Sequence, residues 1–293
     1  MRFFILCFGR SDYTEATCRS IKECTNSRAE IILINNGWSE LTVPSKILDH
    51  WKSFESRALY EGLADSIVSE KIPTIGSALS IFSKYCNAGD SDFYFISDND
   101  CLVDSIDFDL RLIKLMLKYP SLHKLGIDFY HVISKPYAAS FSQYLPAGVS
   151  HLEGQAPRVG DDCINAFGKY GPCIEFLDAD GDICKSQSDT TISIVRKNIA
   201  ISQHEYRWSY NASGLRHLHV GHLEELFWSS NELSVLEMIH YHRLRPMILT
   251  EFKEVYDKRL QNYINNIRLA GHENLINEYL IYSKEFMPTI ITS

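Results

Sequence analysis

The sequence contains no run that approaches the roughly 18 consecutive apolar residues of a membrane-spanning helix. Its apolar start, residues 3–8, is short for the core of a signal peptide and is followed by the charged segment 10–12. A first β-strand explains these residues better than a cleaved leader. Internal repeats and low-complexity tracts are also absent. We therefore expect a cytoplasmic protein without a transmembrane segment.

The chain has eight cysteines, but their spacing lacks the close pairs that are typical of metal sites. No two of them form a Cys-x-x-Cys pair, so the ligand spacing of a zinc site is missing. Several lie in apolar runs, where a free thiol behaves as a small hydrophobic side chain. A reduced, cytosolic environment is the better interpretation. The eight are Cys7, Cys18, Cys24, Cys86, Cys101, Cys163, Cys173 and Cys184.

The sequence also lacks the basic excess that is typical of proteins that bind duplex nucleic acid. Lys and Arg number 29 against 37 Asp and Glu, which gives a formal net charge of −8. No Gly-x-Gly-x-x-Gly motif follows the first predicted strand, and no Walker loop occurs. These absences disfavour a Rossmann dehydrogenase and a P-loop enzyme, and we expect no nucleic acid partner.

What the sequence does contain is an alternation of strand-like and helix-like segments. Asp12 and Glu15 are spaced like a capping box at the start of the first helix. Such alternation predicts an α/β fold, Rossmann-like, with a mostly parallel sheet flanked by helices. The predicted strands are residues 3–8, 30–34 and 93–96, and the predicted helices are residues 12–24, 75–85 and 108–117.

The rest of the chain divides into two parts. Residues 130–190 hold several Gly and Pro and an acidic stretch, and we expect loops and short strands around a cleft there. From residue 229 the pattern is helical, so we predict an α/β domain at 1–228 and a helical C-terminal extension at 229–293. The apolar positions that recur at helical spacing in the extension are Phe252, Val255, Tyr256, Leu260, Tyr263, Ile264 and Ile267.

Three polar segments follow predicted strands, at residues 9–12, 35–37 and 98–100. In open parallel sheets ligands bind beyond the carboxyl ends of the strands, so these segments are expected to converge on one site. Asp98 and Asp100 lie one residue apart, directly after a buried strand, where their like charges repel each other. A bound Mg²⁺ or Mn²⁺ would remove that repulsion, because hard cations prefer oxygen ligands. The alternative is a solvated turn with Asx-type hydrogen bonds.

The order of several short motifs resembles that of glycosyltransferases with the GT-A fold, in particular family 2-like bacterial members. Residues 93–104 resemble the strand that carries the aspartate-x-aspartate motif of that family. Residues 3–10 and 31–37 resemble its first two strands. Residues 189–196 resemble a stretch of some bacterial members, and residues 216–219 resemble the later histidine motif.

This resemblance, over residues 1–228, implies a nucleotide-sugar-binding and catalytic domain. The implied reaction is metal-dependent transfer of a sugar from a nucleoside-diphosphate sugar, first of all a UDP-sugar, to a hydroxyl acceptor. A glycan or lipid-linked glycan would be that acceptor, and bacterial surface polysaccharide or glycan synthesis the setting. The implied metal is Mn²⁺ or Mg²⁺. Peripheral membrane contact and a homo-oligomer are both compatible with the sequence.

The resemblance also implies roles for individual residues. Asp98 and Asp100 would hold the metal, and one of two histidines would complete its coordination, His217 ahead of His219, with His222 a weaker third candidate. Asp189 would be the general base that takes the proton of the acceptor hydroxyl, unless it is a helix N-cap. Its rivals as base are Asp178, Asp180 and Asp182. The residues expected to contact nucleoside or phosphate are Arg10, Asn35, Asn36, Gly76, Asp98 and Asn99.

Several alternatives stay open at this point. Asn35 stands where the family often has an aspartate that holds the nucleoside, although an amide can also accept a hydrogen bond. Arg10 would serve equally well as a surface charge. A metal-dependent nucleotidyltransferase also uses paired carboxylates on an α/β sheet, but it would usually carry a basic, glycine-rich phosphate loop. A degenerate GT-A domain that acts as a binding module is the non-enzymatic alternative.

Overall fold

The computed structural model describes residues 1–71, 78–86, 91–129, 175–176, 181–187, 192–197 and 208–219, together with Leu233, Leu236 and Glu237. The helices are α1 (Ser11–Cys24), α2 (Ser45–Tyr60), α3 (Ala78–Cys86) and α4 (Phe108–Lys118). The strands are β1 (Arg2–Cys7), β2 (Glu30–Asn36), β3 (Ser66–Glu70), β4 (Phe93–Asp98), β5 (Cys101–Val103), β6 (Lys124–Phe129), β7 (Glu175–Phe176), β8 (Ile183–Gln187), β9 (Ser193–Arg196) and β10 (Trp208–His219).

The described strands form one mixed sheet in the order β3-β2-β1-β4-β9-β6-β10-β8-β7, with β5 paired to β10. Strands β3, β2, β1 and β4 run parallel to one another. Beyond the antiparallel β9, strands β6 and β10 run in that same direction. Strands β5 and β8 run opposite to β10. The predicted α/β class, with a mostly parallel sheet flanked by helices, is confirmed.

Helices cover both faces of this sheet. On one face Phe3 of β1 stacks on Phe95 of β4 with ring centroids 4.4 Å apart, and Phe108 of α4 meets both rings edge-on. Helices α1 and α2 add their buried side chains to the same large core. On the other face Phe4 packs in a smaller core with Phe82 of α3. Burial on two faces explains why β1 and β2 are nearly continuous apolar runs.

The sequence predictions omitted helix α2 and strands β3, β5, β6 and β10. Helix α2 buries Ile47, Leu48, Trp51 and Phe54, so helical apolar spacing is present in that segment. Strand β3 is half-exposed or exposed at the edge of the sheet, so its sequence shows no buried pattern. The strand that precedes Asp98 is therefore the fourth in the chain rather than the third.

The capping box predicted at Asp12 and Glu15 is wrong. Helix α1 begins at Ser11 after an N-cap at Arg10, so neither predicted residue occupies the position that a capping box requires. Glu15 instead pairs with Arg19 one turn further along the helix, at 2.8 Å.

Three further predictions meet the described residues only in part. Residues 193–196, which would be helical if Asp189 were a helix N-cap, form strand β9 between β4 and β6. Helix α3 matches the helix predicted at 75–85, of which 75–77 lie outside the described residues. The C-terminal extension also lies outside them, except that Leu236 is buried in the large core and Leu233 packs against it.

Two observations bear on the environment of the chain. Among the described ranges, no helix combines the length and the apolar character needed to cross a membrane. Cys7, Cys18, Cys24, Cys86 and Cys101 are buried cysteine thiols.

Candidate functional site

The carboxyl ends of β1, β2 and β4 lie side by side at one edge of the sheet. In the parallel register Cys7 pairs with Asn35, and Leu6 pairs with Asp98. The polar turns that follow these strands therefore meet, as the sequence predicted from strand alternation. This edge is where ligands bind in open parallel sheets.

The β1–α1 turn is unusually sharp. Gly9 and Arg10 both have positive φ, at 69° and 61°. A Cβ on Gly9 would lie 1.9 Å from the ring of Trp38, so glycine is required by contact as well as by conformation. Arg10 is buried, with its Nε 3.4 Å from Asp12 Oδ1 and its guanidinium carbon 3.5 Å from the ring centroid of Tyr13. The alternative that Arg10 is a surface charge is therefore wrong.

The turn at 98–100, which we call the aspartate turn, is anchored by its middle residue. Asn99 Nδ2 donates to Gly9 O at 2.7 Å and to Thr14 Oγ1 at 2.8 Å. Thr17 Oγ1 of α1 donates to Asn99 O at 2.8 Å. The side chain predicted to contact nucleotide thus holds the aspartate turn against the β1–α1 turn.

Asp98 and Asp100 are half-buried, and the negative charges of both act on one thiol. The pKa of Cys101 is raised well above its ordinary value, first by complete burial and then by the negative charges of Asp100 and Asp98. The Cys101 Sγ lies 3.9 Å from Asp100 Oδ1. Two half-buried carboxylates one residue apart at a strand end have the charge and the oxygen donors that suit a divalent cation.

Strand β10 brings the predicted histidines to this region. It pairs antiparallel with β5, so that His219 lies opposite Cys101 and His217 opposite Val103. The backbone of His219 is therefore paired with the residue that follows Asp100. His217 is completely buried. The side chain of His219 lies outside the described residues.

The end of β2 is held by its own side chains. Asn35 Oδ1 accepts from Trp38 N at 2.9 Å, while Asn35 Nδ2 donates to Trp38 O at 3.2 Å and to Glu55 Oε1 at 3.1 Å. Burial raises the pKa of Glu55, an effect opposed by hydrogen bonds from Trp51 and Asn35. Asn35 therefore shapes the β2–α2 loop, and Asn36 beside it is also buried.

Several predicted site residues fall where the structure gives no description. Gly76, Asp178, Asp180, Asp189 and His222 lie outside the described residues. Of the acidic rivals to Asp189, only Asp182 is described, and it accepts a hydrogen bond from Lys118 Nζ at 2.7 Å.

Sequence reasoning missed one part of this region, the contact of Glu237 with α1. Glu237 Oε2 accepts from Ser11 N at 3.0 Å and from Ser11 Oγ at 2.9 Å, across 226 positions of sequence. His50 Nε2 of α2 lies 3.2 Å from the same Ser11 Oγ. No local pattern could have indicated this contact, because Glu237 and Ser11 are 226 positions apart in the sequence.

The described residues contain no group of three or more His, Cys, Asp or Glu side chains arranged to hold a metal ion. A Mg²⁺ or Mn²⁺ ion does not require one, because it usually keeps waters and phosphate oxygens beside one or two carboxylates. Asp98 and Asp100 fit that donor set. The oxygen-only character of the described donors favours such a hard cation over zinc.

No protein-family model and no curated protein matches the sequence. Solved structures that are similar at low identity include the following three. A mannosyltransferase, PcManGT from Pyrobaculum calidifontis with GDP-Man and Mn²⁺, is 9% identical with a TM-score of 0.43, over 99% of this chain and 81% of that one. Residues 1–349 of S. aureus TarS are 8% identical with a TM-score of 0.35, over 91% and 71%. GalNAc-T7 with UDP, GalNAc and Mn²⁺ is 13% identical with a TM-score of 0.44, over 92% and 56%.

Proposed function

We propose that this chain is a metal-dependent glycosyltransferase that uses a nucleoside-diphosphate sugar as its donor. The observation that carries the proposal is the convergence at one sheet edge of two carboxylates, a sharply bent β1–α1 turn and a histidine-bearing strand. Asn99 ties the aspartate turn to the β1–α1 turn, and β5 ties it to β10. Carboxylates that hold a cation next to a nucleotide loop are suited to stabilising a diphosphate leaving group.

The chemistry requires the developing charge on that leaving group to be neutralised. When bound, a Mn²⁺ or Mg²⁺ ion would supply this stabilisation as a Lewis acid. Asp98 and Asp100 would hold the ion, and the β1–α1 and β2–α2 turns would hold the nucleoside. Of the two predicted histidines we favour His219 as an additional ligand. His217 is completely buried and is paired two residues further from Asp100.

The acceptor side of the site is proposed from chain order. Strand β9 runs antiparallel to β4, with Ser193 opposite Ile96, so the amino end of β9 lies at the edge where β4 ends. Asp189 precedes Ser193 by four positions in the sequence. We keep Asp189 as the base that would take the proton of an acceptor hydroxyl. A glycan or lipid-linked glycan in bacterial surface polysaccharide synthesis remains the proposed acceptor.

The composition of the β1–α1 turn argues against a nucleotidyltransferase. Such an enzyme needs exposed cationic groups to bind a triphosphate, whereas the Gly9–Asp12 turn has one cation, Arg10. Its guanidinium is enclosed with Asp12 and Tyr13.

Binding of nucleotides tests the proposal before any acceptor is known. UDP, GDP and their sugar derivatives would be titrated into the full chain by calorimetry, with Mn²⁺, with Mg²⁺ and with chelator. We expect one nucleoside diphosphate to bind with micromolar affinity in the presence of Mn²⁺ and at least tenfold more weakly with chelator. Metal-independent binding of every nucleotide, or no binding, would contradict a metal-dependent transferase.

A further inference from the structure

The first turn of α1 is capped from a distant part of the chain. The first amides of a helix have no partner within the helix and are usually satisfied by the N-cap side chain. Here the N-cap residue is Arg10, which has a left-handed backbone and gives no side-chain capping bond within the described structure. Glu237 takes over that function, because its Oε2 accepts from both the amide and the hydroxyl of Ser11.

The surroundings of Glu237 make this contact a fixed one. Glu237 is completely buried, and the adjacent Leu236 is buried in the large core of the sheet. In the part of the chain that the structure describes, Ser11, Asp12 and Arg10 act on the Glu237 carboxyl group. Among the described atoms, neither Glu237 Oε1 nor Asp12 Oδ2 has a hydrogen-bond partner. A buried carboxyl group with an unsatisfied oxygen costs stability, and the two hydrogen bonds from Ser11 offset part of that cost.

We propose that Glu237 is a positioning residue for the nucleotide site, acting through Ser11 to hold the β1–α1 turn in its binding shape. The inference rests on the proposed function, since the turn is the part of the site assigned to the nucleoside. The same turn presents Gly9 O to Asn99 and thereby fixes the aspartate turn. Residues beyond 228 are then part of the nucleotide site rather than an appendage to it.

The test compares Glu237→Ala with Glu237→Gln. The alanine variant removes the acceptor of both Ser11 hydrogen bonds, whereas glutamine keeps a neutral acceptor of the same shape. Glu23→Ala, which removes an exposed carboxylate on α1, is the matched control. If Glu237→Ala does not fold, Ser11→Ala removes one of the two bonds and replaces it in the series.

Hydrogen exchange of the apoprotein gives the first readout and needs no nucleotide. We expect amides 11–13 to exchange about fivefold to tenfold faster in Glu237→Ala, which corresponds to the loss of one helix cap. Glu237→Gln and Glu23→Ala should exchange like the wild type. Unchanged protection of these amides in Glu237→Ala would overturn the capping role.

Nucleotide binding gives the second readout. With UDP or GDP and Mn²⁺, Glu237→Ala should raise the Kd and the donor KM about fivefold to tenfold with kcat nearly unchanged, and Glu237→Gln should restore both. Faster exchange with unaltered nucleotide affinity would reduce Glu237 to a structural cap and overturn the positioning role. Failure of the wild type to bind any nucleotide would instead remove the proposed function, while the exchange result would still report on the cap.

Discussion

Two pairs of acidic side chains border the β1–α1 turn, and their surroundings differ. Asp98 and Asp100 are half-buried at the end of a strand, whereas the Asp12 side chain is 7% exposed and Glu237 is completely buried. Burial and the charge of Asp12 raise the pKa of Glu237 to about 8, so that carboxyl group retains its proton at neutral pH. Asp98 and Asp100, which we call the open pair, can relieve their repulsion by binding a cation. Asp12 and Glu237, which we call the enclosed pair, relieve theirs through the proton on Glu237.

The open pair should dominate activity. We expect Asp100→Ala to lower transfer by about a thousandfold and to abolish Mn²⁺-dependent nucleotide binding, because a metal-held leaving group loses its main stabilisation. The free energy of unfolding should change by less than about 1 kcal/mol, since the residue lies at a strand end. Sugar-nucleotide turnover and thermal unfolding would be measured beside Asp92→Ala, an exposed aspartate just before the same strand. Equal losses in both variants would argue against a special role for the open pair.

The turn between the two pairs should be the most sensitive to added volume. Gly9→Ala would place a Cβ inside the ring of Trp38, at a residue with positive φ, and should cost about 3 kcal/mol of unfolding free energy. Gly62 also has positive φ but has nothing within 4 Å of its added Cβ, so Gly62→Ala should cost about 1 kcal/mol. Denaturant unfolding of the two variants separates the contact from the conformation. Equal losses of unfolding free energy in the two variants would show that the Trp38 side chain moves to make room for the added Cβ.

The enclosed pair should make the free energy of unfolding depend on pH. A protonated Glu237 keeps its proton in the folded state up to about pH 8 but releases it near 4.5 when unfolded, so folding loses stability as the pH rises through that window. Relative to Glu237→Gln, the wild type should lose about 3 to 4 kcal/mol of unfolding free energy between pH 5 and pH 8. Urea unfolding across that range checks this difference. Parallel curves for the two proteins would mean that Glu237 is ionised in the fold.

The hydrogen bonds of Asn99, which join the aspartate turn to the β1–α1 turn, should have a smaller effect on stability and activity. Asn99→Ala removes two hydrogen bonds from Nδ2 and should cost about 1 to 2 kcal/mol of stability. Because the aspartate turn is then less well fixed, the Mn²⁺ concentration needed for half-maximal activity should also rise. Asn26→Ala, which removes an exposed bond to Asp107, is the control and should change neither quantity. A normal Mn²⁺ requirement in Asn99→Ala would separate the two turns functionally.

The histidines should show the smallest effect, and an unequal one. We expect His219→Ala to raise the Mn²⁺ requirement about fivefold to tenfold and His217→Ala to leave it nearly unchanged while lowering stability. The loss of a neutral imidazole ligand should also weaken the decline of activity at acidic pH. Manganese titrations of both variants, with thermal unfolding beside them, decide between the two residues. The opposite result would assign the ligand to the buried His217.

Local pattern was enough to predict the strands that carry the site. The apolar runs at β1, β2 and β4, each followed by a polar segment, indicated one ligand-binding edge, and the register confirms that these ends meet. Pattern could not reveal that the side chains of Asn35 and Asn99 are used within the protein, because their partners belong to other segments. The contact of Glu237 with Ser11 could not be predicted for the same reason. The role of Asp189 as base and the boundary at 228 stay predictions.

Strand β10 changes partners along its length. Residues Trp208 to Ala212 pair with β8, and His217 to His219 pair with β5. The register against β6 shifts between Ala212 and Arg216, around Gly214, whose φ is 73°. Because strand side chains alternate with a period of two, losing one residue from this bulge would turn every later side chain to the opposite face. The segment between Ala212 and His219 therefore has little freedom to vary in length.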